Sequence, residues 1–390
     1  MIKHYGKNHI GKSSALVSSF LCLILTFTLS SCSSPFEIEN SETASATTSI
    51  VTTTKTETTT EEPTTEKPLE FEKKRISFSE NMSALKTGLS YASFSGDTYF
   101  DVFLDGGGAK TDEEITNFLI GASVGQSINK LFSFKNKGSG CSTLSVYDDS
   151  VSLFGRNFDW KECKALILKV APDKGYKSVS TVNTSFITSS TSFTLTDDIL
   201  KFVSVYCPLD GMNEKGLCVS VNMAKNGQAV NQNTDKKDLT TSTALRLLLD
   251  SAATTQEAVA ILEKYDMHSS FNYSVHFAIS DKTGKSVAVE YVNNKMIVTE
   301  TPVLTNHFVC SQGQNIDKTE GSLTRFNLLS DFVNGSSPSL AGVYDALVSV
   351  SANKSNEFSS TELSVIYDRN NLTALYFHRQ NFTVGYEFRL

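Results

Sequence analysis

Cys141 and Arg156 are the residues whose types and spacing first suggest chemistry. They lie in GSGCSTLSVYDDSVSLFGRNFDW, residues 138–160. Apolar and polar residues alternate on both sides of the Asp-Asp pair, which predicts two strands of a hairpin. Pairing Val146 with Val151 places Cys141 opposite Arg156, and the Cβ atoms of opposed side chains lie about 4.5–5.5 Å apart. A guanidinium at that distance would lower the pKa of the thiol and favour a nucleophilic thiolate.

A cysteine nucleophile also needs a base, and the residues leave the source of that base open. An imidazole is one possibility, but the histidines that follow are far along the chain and in no recognisable motif: His268, His276, His307 and His378. If the chain is cut between Gly140 and Cys141, the freed α-amino group, with a reference pKa of about 7.7–8.0, can serve its own residue's thiol. A buried, unreactive thiol is the third interpretation, since free cysteines usually pack as small hydrophobes.

Helices and clustered strands must position these residues. Capping-box spacings at Thr111–Glu114 and Thr254–Glu257 predict two helix starts. Helices are expected near residues 241–252, 255–266, 322–333 and 338–351. Short β-branched or aromatic segments separated by turns predict the strands SVHFAISD, KSVAVEYV, KMIVTET, ELSVIYD and LTALYFHR. Because the strands cluster as hairpins, we expect an α+β fold of antiparallel sheets covered by helices.

The first 68 residues predict export and anchoring. An apolar stretch at residues 15–29 follows three lysines and ends in LSSC at Cys32, which resembles the lipobox of bacterial lipoproteins. The resemblance implies that residues 1–31 are a signal peptide and that Cys32 carries a lipid, so that the protein is anchored to the bacterial cell membrane outside the cytoplasm. Residues 32–68, rich in Thr, Ser, Glu and Pro, are expected to form a disordered stalk. A plain signal peptide or an anchor helix is the alternative.

Charge and cysteine content argue against several classes of partner. The net charge of -7 disfavours nucleic-acid binding, which needs a basic face. No C-x-x-C spacing or histidine cluster indicates a metal, and no glycine-rich phosphate loop indicates a cofactor; Gly106–Gly108 is expected to be a turn. Two of the seven cysteines fall in the leader and the lipobox, which leaves no dense disulfide framework. Four cysteines are expected to be core thiols: Cys163, Cys207, Cys218 and Cys310.

Six motifs, in order, resemble a known family. They are Cys141, GRNFD from Gly155, LDGMNEKGLCVSVNM from Leu209, VLTNHF from Val303, SLTRF from Ser322 and SVIYDRNNLTALYF from Ser364. Together they resemble the N-terminal nucleophile hydrolases of the choloylglycine hydrolase and penicillin acyltransferase group. The resemblance implies a four-layer αββα sandwich over residues 141–390, self-cleavage between Gly140 and Cys141, and a helical pro-segment over residues 69–140. It also implies hydrolysis or transfer at a linear amide.

The resemblance further implies a role for each site residue. The implied roles are Cys141 as nucleophile with its new α-amine as base, Arg156 and Asp159 as the pair that holds thiol and amine, Asn222 as an oxyanion donor, Asn306 as the residue that fixes the amine and polarises the carbonyl, and Arg325 as a supporting guanidinium. Asn213, Glu214 and Gly216 are expected to form a turn.

Two departures from the family bear on the substrate. Bile-salt and penicillin V hydrolases usually expose the cysteine just behind the initiator methionine, whereas Cys141 lies deep in the chain, which favours the self-cleaving acyltransferase branch. Only 18 residues separate Asn306 from Arg325, which counts against bile salts. We expect an exported amidase that acts on a small-molecule N-acyl amide through a thioester. Acyl transfer to an amine, or a catalytically silent solute-binding lipoprotein, are the alternatives, and no oligomeric state is predicted.

Overall fold

Eighteen strands and eight helices make up the part of the chain that the computed structural model describes, residues 71–123, 140–188, 195–316, 318–353 and 360–390. The strands are β1 Glu72–Ile76, β2 Ser83–Lys86, β3 Leu89–Gly96, β4 Gly140–Tyr147, β5 Ser152–Trp160, β6 Ala165–Pro172, β7 Ser178–Asn183, β8 Asp210–Asn213, β9 Cys218–Met223, β10 Lys237–Thr240, β11 Tyr265–His268, β12 Val275–Ser280, β13 Ser286–Val292, β14 Lys295–Glu300, β15 Val303–Leu304, β16 Ser360–Asp368, β17 Thr373–His378 and β18 Asn381–Arg389. The helices are α1 Phe100–Asp105, α2 Asp112–Ser123, α3 Ser185–Thr188, α4 Asp197–Val205, α5 Thr241–Ser251, α6 Thr255–Leu262, α7 Glu320–Gly335 and α8 Leu340–Ser349.

The predicted leader, the lipidated Cys32 and the stalk lie outside the described residues. Within the described ranges, no helix combines the length and apolar character needed to cross a bilayer.

Two sheets pack face to face and carry helices on their outer faces. One has seven strands in the order β1-β18-β17-β16-β5-β4-β15, and the other has nine in the order β14-β13-β12-β9-β8-β7-β6-β3-β2. Helices α7 and α8 contact the seven-stranded sheet, and α4, α5 and α6 contact the nine-stranded sheet. The layers therefore run helix, sheet, sheet, helix, and the predicted α+β fold with αββα layers is confirmed.

Apolar side chains of alternating direction hold the layers together. Between the sheets, Phe154 and Tyr367 of one sheet share a buried cluster with Ile167 and Met212 of the other. Alternate residues of the same strands face the helices, so that Leu144 packs in a separate cluster with residues of α7 and α8. Because side chains of a strand alternate between its two faces, strands β4, β5, β16 and β17 contribute to both clusters.

The β4–β5 hairpin has a different register from the predicted one. Val146 pairs with Leu153, and Cys141 lies opposite Phe158 rather than opposite Arg156. The difference is two residues, so every side chain keeps its predicted face. Cys141 and Arg156 are therefore diagonal neighbours on the face that points toward the other sheet.

Asp148 is the cause of this difference in register. Its Oδ1 accepts the backbone N–H groups of Ser150 and Val151 at 2.8 and 2.7 Å, and its own N–H donates to the Val151 carbonyl at 2.8 Å. An aspartate that binds the backbone two and three residues on fixes the start of a turn. The loop therefore covers residues 148–151, two residues more than the loop of residues 148–149 that the predicted pairing requires.

The segment of residues 69–140 was predicted to be helical, but its described part contains three strands as well as helices α1 and α2. Strand β1 pairs in parallel with β18, and β3 pairs in parallel with β6, so the segment joins both sheets. Strand β1 has the sequence EKKRI and is mostly exposed. A charged edge strand shows no apolar alternation, which is why the pattern gave no strand there.

The predicted helices and strands of the second half of the chain are confirmed. Helices α5 to α8 and strands β12, β13, β14, β16 and β17 lie where the patterns indicated. The hydroxyls of Thr111 and Thr254 accept the N–H groups of Glu114 and Glu257, at 3.2 and 3.1 Å. Helix α6 ends earlier than predicted, since the residues from Tyr265 onward pair with β10 as β11.

The two predicted turns are also present. Gly108 has a φ of 78°, and a Cβ at this position would lie only 1.8 Å from the Asp238 carbonyl oxygen, so only glycine fits. Between β8 and β9, the Asn213 side chain accepts the N–H groups of residues 215 and 217, and Gly216 has a φ of 82°.

Candidate active site

Cys141 is the second residue of β4 and lies between the sheets, with 3% of its surface exposed. Its backbone N–H donates to Asn306 Oδ1 at 2.9 Å, and its carbonyl accepts Arg325 Nη1 at 2.6 Å. Asn306 follows β15, which pairs with β4, and Arg325 lies on α7, which packs on β4. The fold thus brings Asn306 and Arg325 to Cys141, although they follow it by 165 and 184 positions along the chain.

Arg156 stands beside the sulfur of Cys141. Its Nη2 lies 3.7 Å from Sγ and donates to the Val221 carbonyl at 2.9 Å. Its Nη1 forms an ion pair with Asp210, and both side chains are 1% exposed. Asp210 also accepts the Tyr367 hydroxyl at 2.5 Å. The guanidinium next to the thiol is therefore fixed by a buried carboxylate.

Burial dominates the electrostatics of the thiol. It raises the pKa of Cys141 above the ordinary value of 9.0, while the charge of Arg156, the backbone N–H of Met223 and the charge of Arg325 act in the opposite direction. The charge of Asp159 adds to the rise. Burial thus favours the protonated thiol, which needs a base before it can attack a carbonyl.

Asp159 lies against the predicted cut site. It is the partner of Gly140 in the β4–β5 pairing, and a Cβ on Gly140 would lie 2.6 Å from Asp159 Oδ2. Its Oδ1 accepts the Thr361 hydroxyl at 2.7 Å, and Arg325 Nη1 lies 3.9 Å from Oδ2. Burial raises the pKa of this carboxyl, although Arg325 and Thr361 lower it in part. Glycine is thus the residue that lets the carboxylate approach the backbone at this bond.

The amide of Asn306 has a fixed orientation. Its Oδ1 accepts Arg325 Nη2 at 2.7 Å as well as the Cys141 N–H, and its Nδ2 donates to the Met223 carbonyl at 2.8 Å. With both ends of the amide bound, the oxygen faces the nitrogen of Cys141. This placement suits the implied role of fixing the amine.

Asn222 lines the same space as Cys141, but its amide has partners within the protein. Its Nδ2 donates to the Leu304 carbonyl at 3.3 Å, and its Oδ1 accepts the Ser220 hydroxyl at 3.0 Å. The bond to Leu304 is long for N–H···O, so it holds the amide weakly.

An apolar cleft opens beside the thiol, with about 680 Å³ of space that includes some open solvent. Phe158 stacks on Trp160 with ring centroids 5.5 Å apart, and Phe186 and Phe271 continue this aromatic wall. Among the described residues that line the cleft, Arg156 is the only charged one. The cleft is therefore suited to an uncharged, apolar group that ends at Cys141.

Residues 141–318 match the family model of linear amide C-N hydrolases, choloylglycine hydrolase family. The match begins at Cys141 itself. Hydrolases of this family act on the carbon–nitrogen bonds of linear amides, and the predicted enzyme class is thereby confirmed. No curated protein is significantly similar to the chain in sequence.

Two solved structures are similar to part of the chain, one a penicillin V acylase and the other a conjugated bile acid hydrolase. A penicillin V acylase from Agrobacterium tumefaciens is 18% identical, with a TM-score of 0.48 over 64% of this chain and 86% of that chain. A mutant of the conjugated bile acid hydrolase from Clostridium perfringens is 18% identical, with a TM-score of 0.47 over 62% of this chain and 90% of that one.

Asp210 and Thr361 contact residues of the candidate site but were not predicted. Asp210 lies inside the LDGMNEKG motif, where an acid on a buried strand was a usable signal. Thr361 reaches Asp159 from β16, across 202 positions, and no local pattern marks it.

The remaining thiols do not share the environment of Cys141. All five cysteines in the described part of the chain are free. Burial raises the pKa of Cys218 to about 12 and that of Cys310 to about 11, and it also raises those of Cys163 and Cys207. Cys163, Cys218 and Cys310 are buried as predicted, whereas Cys207 is half-buried and lines the cleft.

Proposed function

We propose that the protein is an exported amidase that cuts itself between Gly140 and Cys141 and then hydrolyses a small-molecule N-acyl amide through a thioester on Cys141. One observation carries the proposal: the nitrogen and the sulfur of the same residue are both held by the site. Asn306 holds the nitrogen at 2.9 Å, and Arg156 stands 3.7 Å from the sulfur. An N-terminal nucleophile needs this double anchoring, since its thiol attacks while its own amine acts as base.

Self-cleavage uses the groups that surround Gly140. The Cys141 sulfur attacks the Gly140 carbonyl carbon, and Asp159 takes the thiol proton and passes it to the departing Cys141 nitrogen. The peptide C–N bond breaks and a thioester joins Gly140 to the sulfur. The α-amine of Cys141 is free from this point, and water then hydrolyses the thioester, which leaves a carboxylate on Gly140 and frees the thiol. A buried carboxyl with a raised pKa is suited to this transfer.

Turnover repeats the same chemistry on an external amide. The α-amine takes the thiol proton as Sγ attacks the substrate carbonyl, and it returns that proton to the leaving amine. Water, activated by the same amine, then releases the acid from the thioester. The Met223 N–H and the Asn222 amide are the candidate donors to the oxyanion, and one such donor contributes about 3 kcal/mol to a typical transition state.

The cleft supports an apolar acyl group. An acyl group that packs against the aromatic wall loses apolar surface to water, and each Å² of apolar surface buried in this way favours binding by about 25 cal/mol. An acyl chain that fills the cleft ends with its carbonyl at Cys141, so the amine part of the substrate points away from the aromatic residues.

Intact mass spectrometry of the purified domain tests the cut. The wild type is expected as two fragments that separate at the Gly140–Cys141 bond, and Cys141→Ala is expected as a single inactive chain. Cys163→Ala is the matched control, because it removes a buried thiol outside the cleft and should leave both the cut and the activity unchanged. An uncut but active wild type would contradict self-cleavage, and an active Cys141→Ala would contradict the nucleophile.

Export through Cys32 is proposed from the sequence and has a separate test. Cells grown with a labelled fatty acid should incorporate the label into the wild type but not into Cys32→Ser, and only the wild type should sediment with membranes. Label in both chains would contradict the lipidation site.

Product analysis with added amine acceptors distinguishes hydrolysis from acyl transfer.

A further inference from the structure

A row of buried polar residues lies behind the site, and the chemistry above does not use its outer two members. Asn222 on β9 is paired with His276 on β12, and His276 Nδ1 lies 2.9 Å from Glu290 Oε1 on β13. All three side chains are fully buried on the face of the nine-stranded sheet that points toward the other sheet. Burying a charge or a polar ring at this depth is costly unless it is compensated, so the row calls for an explanation.

The two outer residues hold the segment that carries Asn306. His276 Nε2 donates to the Thr305 carbonyl at 3.0 Å. The Glu290 carboxylate accepts the backbone N–H groups of residues 309–310, at 3.0 and 2.7 Å. The chain on both sides of Asn306 is therefore tied to one buried pair.

The hydrogen bonds of the pair suit a ring that donates to a carboxylate from one nitrogen and to a carbonyl from the other. Both ring nitrogens of His276 face acceptors, one a carbonyl and the other a carboxylate oxygen. A neutral imidazole donates from one nitrogen only, whereas an imidazolium donates from both. Burial opposes the negative charge of Glu290, but the hydrogen bonds from His276 and the backbone lower the pKa of this carboxyl below its ordinary value.

A second anchor acts on Asn306 from the opposite side. Its backbone N–H donates to the Ser322 hydroxyl at 2.8 Å, near the start of α7. Residues of β12, β13 and α7 therefore all restrain the segment that places Asn306 Oδ1 at 2.9 Å from the Cys141 nitrogen.

We propose that His276 and Glu290 form a positioning pair of the active site, which fixes residues 305–310 so that Asn306 holds the nitrogen of Cys141. The inference rests on the proposed function, because it gives the pair a part in that chemistry. Neither residue touches the thiol, so both act through Asn306. The pair sets the geometry of the base rather than the fit of the acyl group.

A double-mutant cycle on Glu290 and Asn306 tests the inference. Glu290→Gln keeps the shape of the side chain but removes its charge, and it should lower kcat by about 10- to 100-fold, as small misplacements of reacting groups do. KM should change by less than about threefold, since the cleft is untouched. Adding Glu290→Gln to Asn306→Ala should lower kcat little further, because both changes remove the same contact.

Asp281→Asn is the matched control for stability. Asp281 is buried, its Oδ2 accepts the N–H and the hydroxyl of Thr255 at 2.9 Å, and it lies outside the cleft. Burial opposes its charge, but hydrogen bonds lower the pKa of this carboxyl as they do for Glu290, so this variant should lower the melting temperature as Glu290→Gln does and leave kcat unchanged. Equal losses of kcat in the two variants, or losses that multiply in the double mutant, would overturn the positioning role.

A second variant covers the case in which Glu290→Gln does not fold. His276→Gln keeps a donor for the Thr305 carbonyl and should retain more activity than His276→Ala, whereas equal activities would overturn the inference. Failure of the proposed function is recognised separately, because an active Cys141→Ala would contradict the nucleophile whatever these variants do.

Discussion

The two sides of Cys141 are built in different ways. On the sulfur side, Arg156 in the middle of β5 and Asp210 at the start of β8 form an ion pair, and each is 1% exposed. On the nitrogen side, Asn306 follows the end of a short strand, and the side chain of Arg325 reaches in from a helix with 16% exposed. The sulfur side belongs to the core of the sandwich, and the nitrogen side belongs to its edge.

The difference follows from what each side must do during the proposed reaction. The sulfur side needs one fixed positive charge in both the precursor and the cut enzyme. The nitrogen side must bind a peptide N–H before the cut and an amine afterwards. Asn306 Oδ1 accepts a hydrogen bond in either state, so an amide suits this position. We therefore expect changes on the sulfur side to reduce stability most, and changes on the nitrogen side to reduce turnover most.

The largest loss of stability is expected for Asp210→Asn, on the sulfur side. Removing one partner of a buried ion pair leaves an uncompensated charge on Arg156 and costs about 3–5 kcal/mol. Urea unfolding in the Cys141→Ala background, which keeps a single chain, measures the free energy of unfolding. A loss below about 1 kcal/mol, typical of a surface pair, would contradict the assignment of this pair to the core.

Asn306→Ala, on the nitrogen side, should have the opposite profile. It removes the partner of the Cys141 nitrogen, and kcat should fall by about 10²–10³-fold, the usual effect of losing one preorganised polar group. The free energy of unfolding should fall by only about 1 kcal/mol, the value of a typical hydrogen bond. Steady-state kinetics and urea unfolding check the two values. If stability fell as much as in Asp210→Asn, the contrast between the two sides would be wrong.

Gly140→Ala addresses the cut itself. The added Cβ would lie 2.6 Å from Asp159 Oδ2, so the carboxylate must move, and the cut should slow by about 10- to 100-fold. A time course of intact mass after synthesis measures the rate. Gly335→Ala is the matched control, since a Cβ there meets no atom within 4 Å. Equal rates in the two variants would show that Asp159 has room to move without consequence.

The sulfur side could be predicted from local sequence patterns, whereas the nitrogen side could not. Spacing within one hairpin brought Cys141 and Arg156 to one face, although the Asp148 turn made the register wrong by two residues. Asn306 and Arg325 came from the family resemblance, because no local pattern relates residues that are 165 and 184 positions away.

The supporting residues of the site gave no signal of their own. His276 and Glu290 sit at strand positions where an inward polar residue looks like any outward one, and only the second sheet decides which face is buried. The strands before residue 97 were missed for a related reason. Strand β1 gains its partner from β18, at the opposite end of the chain, rather than from its own apolar pattern.

The smallest change in the free energy of unfolding is expected for Asp159→Asn, which is to be compared with Asp210→Asn. Burial raises the pKa of Asp159, so the folded chain binds this proton more tightly than the unfolded chain does. The stability that Asp159 contributes is complete below its unfolded pKa and is lost as the pH rises through the folded value. At neutral pH, Asp159→Asn should therefore increase the free energy of unfolding, and the gain should disappear toward pH 4.

This increase should accompany a loss of the cut, since an amide cannot carry the thiol proton. Urea unfolding between pH 4 and 8 in the Cys141→Ala background measures the gain, and intact mass in the wild-type background measures the cut. Asp148→Asn is the control of opposite sign, because backbone N–H groups lower the pKa of Asp148 and its charge stabilises the fold above the unfolded pKa.

Asp159 and Asp210, two buried aspartates on either side of Cys141, would then have opposite effects on stability. Asp210 stabilises the fold through its ion pair, whereas Asp159 is kept at a cost because the proposed proton transfer requires it. A loss of stability in Asp159→Asn at neutral pH would remove this distinction.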